Sequence, residues 1–193
     1  MPPSFEQSHE QLTQRVAGSY FGKYPGEVTD NADPQGLCRI KAKVPALMDK
    51  EEVGWALPAA PFLGDGHGLV MMPEVGSKVW IEFAAGNLDV PIWTGAYLAL
   101  NETPPSPHDP AVRVIVSKNG HKIVLDDKND KLSVELSDQV KLEMSATEVS
   151  LSIGPSKMVM SLTSITFNDG VVKIGPAGVS LANGAMTLGV PPV

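Results

Sequence analysis

The segment KLSVELSDQVKLEMSATEVSLSIG, residues 131–154, alternates apolar and polar residues with a period of two. This period predicts β-strands that show one face to water and hide the other. Three strands are predicted, at residues 132–136, 140–144 and 149–153. No amphipathic helix that would cover the apolar face follows in the sequence. Some other part of the protein must therefore cover this apolar face, and this requirement restricts the possible folds of the chain more than any other feature of the sequence.

The alternation changes parity within the segment. Inward residues are even-numbered up to Met144 and odd-numbered from Val149. The turn near residues 146–148 must therefore absorb one residue to keep the apolar side chains on one face.

Strand-length segments recur through the rest of this half at intervals of roughly eight residues. They begin near 123, 132, 140, 149, 158, 165, 172, 179 and 186, and Gly, Pro, Asn and Asp separate them. Asn119-Gly120 predicts a type I′ hairpin before the first of them. The length of these segments repeats although their sequence hardly does, which is typical of a repeat architecture.

Bulky aromatic residues are almost absent from this half. All three Trp and all three Tyr lie before residue 100, and only Phe167 of the five Phe lies after it. Each strand offers two or three inward residues, so one chain alone cannot close a core. We expect three identical chains to wind around a shared axis. In this arrangement every strand edge pairs with a neighbouring chain, and rotational symmetry closes the assembly. An ordinary β-sandwich built from residues 112–193 is the alternative.

The predicted core of this trimer consists of the inward residues of the alternating strands. They are Leu132, Val134, Leu136, Val140, Leu142, Met144, Val149, Leu151, Ile153, Met158, Met160, Leu162, Ile165 and Phe167.

The first half of the chain reads as a small barrel. Within LCRIKAKV, residues 37–44, the side chains of Cys38, Ile40, Ala42 and Val44 are expected inside, and Arg39, Lys41 and Lys43 outside. KVWIEF (78–83) and VPIWTGAYL (90–98) are further strands. About five short strands in roughly 80 residues, punctuated by Gly and Pro, predict an oligonucleotide/oligosaccharide-binding (OB) barrel.

These patterns divide the chain into four parts. Residues 1–19 form an N-terminal segment with a short helix, for which Ser4 and Gln7 have the capping-box spacing. Residues 20–98 form the OB-fold domain, and residues 99–112 a Pro-rich linker. Residues 113–193 form the needle. The predicted fold class is all-β, with an N-terminal OB-fold barrel followed by an intertwined trimeric β-prism or β-helix shaft.

Composition argues against several classes of function. The single cysteine excludes an intrachain disulfide and a cysteine-based zinc site within one chain. His9, His67, His108 and His121 are scattered, no Gly-x-Ser-x-Gly, P-loop or His-Glu-x-x-His motif occurs, and no pair of carboxylates stands out as an acid/base site. We therefore expect no catalytic residues, no metal and no cofactor, and thus no enzyme. No signal peptide is visible, so synthesis in the cytoplasm is expected.

The segment GEVTDNADPQGLCRIKAKVP, residues 26–45, resembles the opening of the phage baseplate assembly protein V family. That family includes the spikes of contractile injection systems and is related to the valine–glycine repeat spikes of type VI secretion. Its pattern G-x-V-x-D-N-x-D-P is matched from Gly26 to Pro34, and the following basic strand ends in Pro45. Later matches are Trp55-Ala56, the turn residues 64–68, Pro73-Glu74-Val75-Gly76, Glu82-Phe83, Gly86-Asn87, Pro91 and Gly95.

One position departs from the pattern. Cys38 stands where the family usually has Gly, and its alternation with Ile40 and Val44 predicts a core residue.

The resemblance implies a homotrimeric central spike of a contractile tail or injection system, located in the virion baseplate or the injection particle. It lies beneath the tail tube complex and a hub protein, and it pierces the target cell envelope in transient contact with the membrane. The chain has no room for a fused hub, so the hub is expected to be a separate protein to which residues 1–19 dock. Met186, Leu188 and Val190 would dock a proline-alanine-alanine-arginine (PAAR) type tip protein.

The runner-up is an OB-fold nucleic-acid- or carbohydrate-binding protein with an oligomerising β-rich tail. The outward face with Arg39, Lys41 and Lys43 suggests it. Against nucleic acid, residues 1–111 carry a net charge of −7, opposite to the basic surface that such a protein needs. No aromatic residue interleaves with the three cations in the sequence.

Overall fold

The computed structural model describes residues 4–47 and 52–189. The chain divides into two compact units, residues 1–102 and residues 103–193. Apart from one α-helix and short 3-10 turns, all regular structure in the described residues is β.

The helix α1 spans Phe5–Ala17. The Ser4 side chain accepts a hydrogen bond from the backbone N–H of Gln7, and the Gln7 side chain accepts one from the backbone N–H of Ser4. This reciprocal capping box satisfies two N–H groups that the first turn leaves unpaired. Phe5 and Val16 are exposed. Among the described residues, no helix has the length and hydropathy to cross a bilayer.

Five strands of the first unit close into a barrel. They are β1 (Tyr24–Asp30), β2 (Ile40–Lys43), β3 (Val53–Pro58), β6 (Lys78–Phe83) and β7 (Pro91–Ala96). The order around the barrel is β1-β2-β3-β7-β6, and β6 pairs again with β1. Neighbours are antiparallel except β3 and β7, which are parallel. A small separate hairpin, β4 (Leu63–Gly64) and β5 (His67–Gly68), lies between β3 and β6 in sequence. The predicted OB barrel is confirmed.

The barrel interior is filled by the residues that alternate inward along β2 and β6. Ile40, Ala42, Val79 and Ile81 are completely buried, and Phe83 is nearly so. Partly buried Tyr20, Tyr24, Leu47, Val53, Met72, Leu88 and Trp93 pack around this core.

The prediction that Cys38 is a core residue is wrong. Strand β2 begins at Ile40, and Cys38 lies before it with φ 58° and a half-buried side chain. This left-handed conformation is the one that glycine adopts at no cost, which explains why a glycine suits the position better.

The second unit is a single ten-stranded antiparallel meander. Its strands are β8 (Val112–Val116), β9 (Lys122–Asp126), β10 (Lys131–Ser137), β11 (Val140–Ser145), β12 (Glu148–Ile153), β13 (Ser156–Ser161), β14 (Ile165–Phe167), β15 (Val172–Gly175), β16 (Gly178–Leu181) and β17 (Met186–Gly189). Each strand pairs with the one before and the one after it in sequence.

Two turns test the sequence-based expectations. Across β11 and β12, Met144 lies directly opposite Val149, so the turn between these strands absorbs the residue that the parity change requires. The Ser145 hydroxyl accepts hydrogen bonds from the backbone N–H groups of Thr147 and Glu148 in this turn. The predicted type I′ turn at Asn119-Gly120 is wrong, because only Gly120 of the pair has a positive φ.

Candidate assembly surface

One face of the ten-stranded sheet carries two lines of side chains that run across all ten strands. Residues directly opposite each other in neighbouring strands share a face, so the pairing register defines both lines. Row 1 consists of Ile115, Ile123, Val134, Leu142, Leu151, Met158, Phe167, Val172, Leu181 and Met186. Row 2 consists of Arg113, Leu125, Leu132, Met144, Val149, Met160, Ile165, Ile174, Val179 and Leu188.

Both rows are apolar except for Arg113, yet none of their residues is buried. Within residues 103–189, which the structure describes, the one buried residue is Ser133, 8% exposed, on the opposite face, which is polar across β10 and β11. All buried large hydrophobic residues of the described chain belong to the barrel. The second unit thus has its apolar face open and no core of its own.

The accessible surface of the chain supports the same conclusion. The chain exposes 13800 Å² at a mass of 20.5 kDa. A compact monomer of this mass exposes about 8,900 Å², and two separate compact domains of half that mass about 10,700 Å² together. The chain thus exposes roughly 3,000 Å² more than two compact domains of its mass would.

The rows contain most, but not all, of the residues predicted to form a trimer core. Val140 and Ile153 lie opposite each other on the same face, beside row 1. Leu136 lies at an irregularity of the β10–β11 pairing, and Leu162 lies in the turn between β13 and β14 with 82% of its surface exposed. The other ten predicted residues are members of the rows.

The sequence-based prediction omitted the row members at both ends of the sheet. Missed there are Ile115, Ile123, Leu125, Val172, Ile174, Val179 and Leu181. The period-two alternation of KIVLD and of GVSL, residues 122–126 and 178–181, contains the signal. Strands of four or five residues give too few repeats for it to stand out.

The polar face carries a ladder of ion pairs across β10 and β11. The Glu143 carboxylate contacts Lys141 Nζ at 2.7 Å and Lys131 Nζ at 2.9 Å, and Lys141 also contacts Glu135 at 3.2 Å. Hydrogen bonds from Lys141 and then Lys131 lower the pKa of Glu143 from 4.5 to about 2. These charges suit a face in contact with water.

The residues predicted to dock a tip protein fall on the last described strand. Met186 and Leu188 are exposed, 58% and 63%, and end row 1 and row 2 respectively. Val190 lies outside the described residues.

On the barrel, Arg39 is already occupied by an acidic partner. Its guanidinium donates from Nε to Asp33 Oδ2 at 3.0 Å and from Nη2 to Asp33 Oδ1 at 2.6 Å. Asp33 also accepts hydrogen bonds from the backbone N–H groups of Gln35, Leu37 and Arg39. The Arg39 hydrogen bonds hold the pKa of Asp33 far below its usual value. The Asp33-Pro34 pair and Arg39 of the sequence pattern therefore fix the loop that leads into β2.

The structure brings an aromatic residue, Trp55, to the basic face, which the sequence pattern did not indicate. Arg39 Cζ lies 5.6 Å and Lys41 Nζ 5.2 Å from the centre of its ring. Lys41 also pairs with Glu52 at 3.6 Å. Two of the three cations of this face, Arg39 and Lys41, are thus engaged with Trp55 and with acidic partners, so they are not free to bind phosphates.

The described residues contain no group of three or more His, Cys, Asp or Glu arranged to hold a metal ion. His67 Nδ1 lies 2.8 Å from the backbone carbonyl of Asp65, and His121 Nδ1 lies 2.8 Å from that of Leu136. His67 and His121 thus each contact a backbone carbonyl, His67 within a turn and His121 near the end of a strand.

Comparison with known families gives one match. Residues 24–98 match the family model described as the type VI secretion system/phage-baseplate injector OB domain. A search of curated proteins found no match.

Proposed function

From the match of residues 24–98 to the type VI secretion system/phage-baseplate injector OB domain, we propose that this chain is the central spike of a contractile tail or injection system, acting as a homotrimer. The match supports a structural role related to baseplates and injection spikes, in a virion or an injection system. The trimer, its position and its piercing action are the proposal.

One observation carries the trimer: rows 1 and 2 form an apolar face across ten strands that nothing in the described chain covers. A monomer with such a face would aggregate. Further copies of the same chain can cover this face, because their own apolar rows have the same side chains and the same strand spacing. An assembly closed by rotational symmetry contains a fixed number of copies.

The width and composition of the face favour three copies in particular. The face is two rows wide over most of its length, and alternate residues on a strand lie about 7 Å apart. Three narrow sheets can enclose a slim triangular interior, which aliphatic side chains fill and bulky aromatics would not. Phe167 is the one aromatic residue in either row.

The proposed role is mechanical rather than enzymatic. Ten strands spaced at about 4.8 Å give a shaft on the order of 45 Å long. Contraction of a sheath would drive the tube, with this shaft beneath it, against the target membrane. The shaft then bears compression along its axis, and many backbone hydrogen bonds and the shared core must break together before it yields.

The remaining partners follow from exposed apolar residues. Helix α1 exposes Phe5 and Val16 and is the proposed contact with a separate hub protein beneath the tail tube. Met186 and Leu188, repeated three times, are the proposed platform for a PAAR-type tip protein.

Sizing by light scattering, with a mild-SDS gel beside it, tests the proposal. We expect a single species of three times 20.5 kDa that resists mild SDS. A clean monomer at micromolar concentration would refute the trimer and the spike that depends on it.

A further inference from the structure

Arg113 is the one charged residue among the twenty that form rows 1 and 2. We propose that Arg113, together with its partner Asp127, sets the axial register in which the three chains of the shaft align. This inference rests on the trimer proposed above.

The rows themselves specify register weakly. Nineteen of their twenty residues are Val, Ile, Leu, Met or Phe, one in each row per strand. Displacing one chain by two strands, about 9.6 Å, keeps its strand direction and again sets aliphatic side chains against aliphatic side chains. A uniformly apolar core tolerates such alternatives unless a residue penalises them.

Arg113 lies where it can impose that penalty. It begins row 2 on β8, the outermost strand of the sheet, and its side chain is exposed. Its guanidinium donates a hydrogen bond to the Asp127 carboxylate, which follows directly after β9. In aligned chains, three Arg113–Asp127 pairs lie together at one end of the core, where water reaches them.

A displaced chain loses this arrangement in either direction. Moved one way, its own Arg113 enters the level of Leu132 and Val134 of its neighbours. Moved the other way, the Arg113 residues of the neighbours enter its own apolar rows. A guanidinium buried among aliphatic side chains loses its water and gains no partner, which is strongly unfavourable.

A single polar residue in an otherwise apolar seam fixes register in coiled coils by the same physics. As an isolated surface pair, Arg113 and Asp127 would contribute little to stability. The proposed effect is therefore on which assembly forms, rather than on how stable one chain is.

Disulfide trapping measures register directly. The Cys38→Ala background removes the single cysteine. Chains carrying Leu151→Cys are co-produced with chains carrying Phe167→Cys, and the mixture is oxidised. Leu151 and Phe167 belong to row 1 and are two strands apart. Links between identical positions report aligned chains, and mixed 151–167 links report a two-strand displacement.

With Arg113 in place, we expect links between identical positions and few mixed links. Arg113→Leu should raise the mixed links about tenfold or more and add species larger than a trimer, because displaced chains leave unpaired ends. Arg113→Lys, which keeps the charge, should behave like the parent. Arg113→Gln should be intermediate, and it provides the test if Arg113→Leu aggregates.

Lys122→Leu is the matched control. It removes one positive charge and adds a leucine on the neighbouring strand, on the opposite face, and it should leave the mixed links at the parent level. A trimeric parent whose mixed links do not change in Arg113→Leu and Arg113→Gln would overturn the register inference alone. A monomeric parent would overturn the trimer, and the register inference with it.

Discussion

The Asp33 carboxylate accepts two hydrogen bonds from the Arg39 guanidinium, one on each of its oxygens, and Asp33 has only 2% of its side chain exposed. Three backbone N–H groups complete its coordination. This one carboxylate therefore fixes the conformation of the loop between β1 and β2, through which the chain enters strand β2 of the barrel.

Removing this carboxylate should destabilise the barrel. Asp33→Ala leaves the Arg39 guanidinium, 16% exposed, without its acidic partner and orphans the three N–H groups. We expect the thermal midpoint to fall by at least about 5 °C, measured by circular dichroism. Asp65→Ala, at the exposed tip of the β4–β5 hairpin, should change it little. Equal midpoints for the two variants would contradict the role assigned to Asp33.

Relief of backbone strain at Cys38 gives a second prediction. Cys38 has φ 58°, where a side chain is strained and glycine is not. Cys38→Val places a β-branched residue there and should lower the unfolding free energy by about 1–2 kcal/mol relative to Cys38→Gly. Urea denaturation of the two variants measures the difference. Indistinguishable midpoints would show that the loop relaxes around the side chain.

The ion-pair ladder predicts a specific response to acid. Hydrogen bonds from Lys141 and Lys131 lower the pKa of Glu143 from 4.5 to about 2. A lowered folded-state pKa means that the stabilisation is fully present above pH 4.5 and is lost as the pH falls through about 2.

The thermal midpoint of the wild type should therefore fall between pH 4.5 and pH 2, and Glu143→Gln should flatten this fall. Glu148→Gln, exposed on the same face of β12, is the control and should keep the wild-type profile. A steep profile in both variants would assign the acid sensitivity to other groups.

A charge placed in the middle of row 1 should abolish assembly. Leu151→Asp puts three carboxylates into the proposed shared core, where neither water nor cations compensate them. We expect the trimer to dissociate or the shaft to misfold, seen as loss of the trimer mass in light scattering. Ser152→Asp, one residue away on the opposite face, should leave the mass unchanged. A trimer that survives Leu151→Asp would show that the rows do not form the interface.

Regular alternation was the most predictive feature of the sequence. Side chains alternate strictly between the two faces of a strand, so the period-two pattern of residues 131–154 by itself indicates the strands, their faces and the parity change at Met144 and Val149. Alternation also indicated that Ile40, Ala42 and Val44 lie inside the barrel.

Alternation failed where local backbone geometry overrides it. Cys38 continues the alternating pattern of the strand that follows, but the loop that Asp33 organises gives it a left-handed conformation instead. Leu162 is apolar and close to a strand, yet it falls in a turn. Short-range patterns do not contain the hydrogen bonds that decide such positions.

The sequence by itself thus determined the strands, their inward faces and the two kinds of structure that share the chain, because these follow from periodicity and composition. Only the tertiary structure decided which residues face each other across strands. It aligned Arg113 with Leu125 at the head of an apolar row and placed both Arg39 and Lys41 near the ring of Trp55. The physical reason is that register depends on turn lengths and cross-strand hydrogen bonds, and these join residues whose relation no local pattern records.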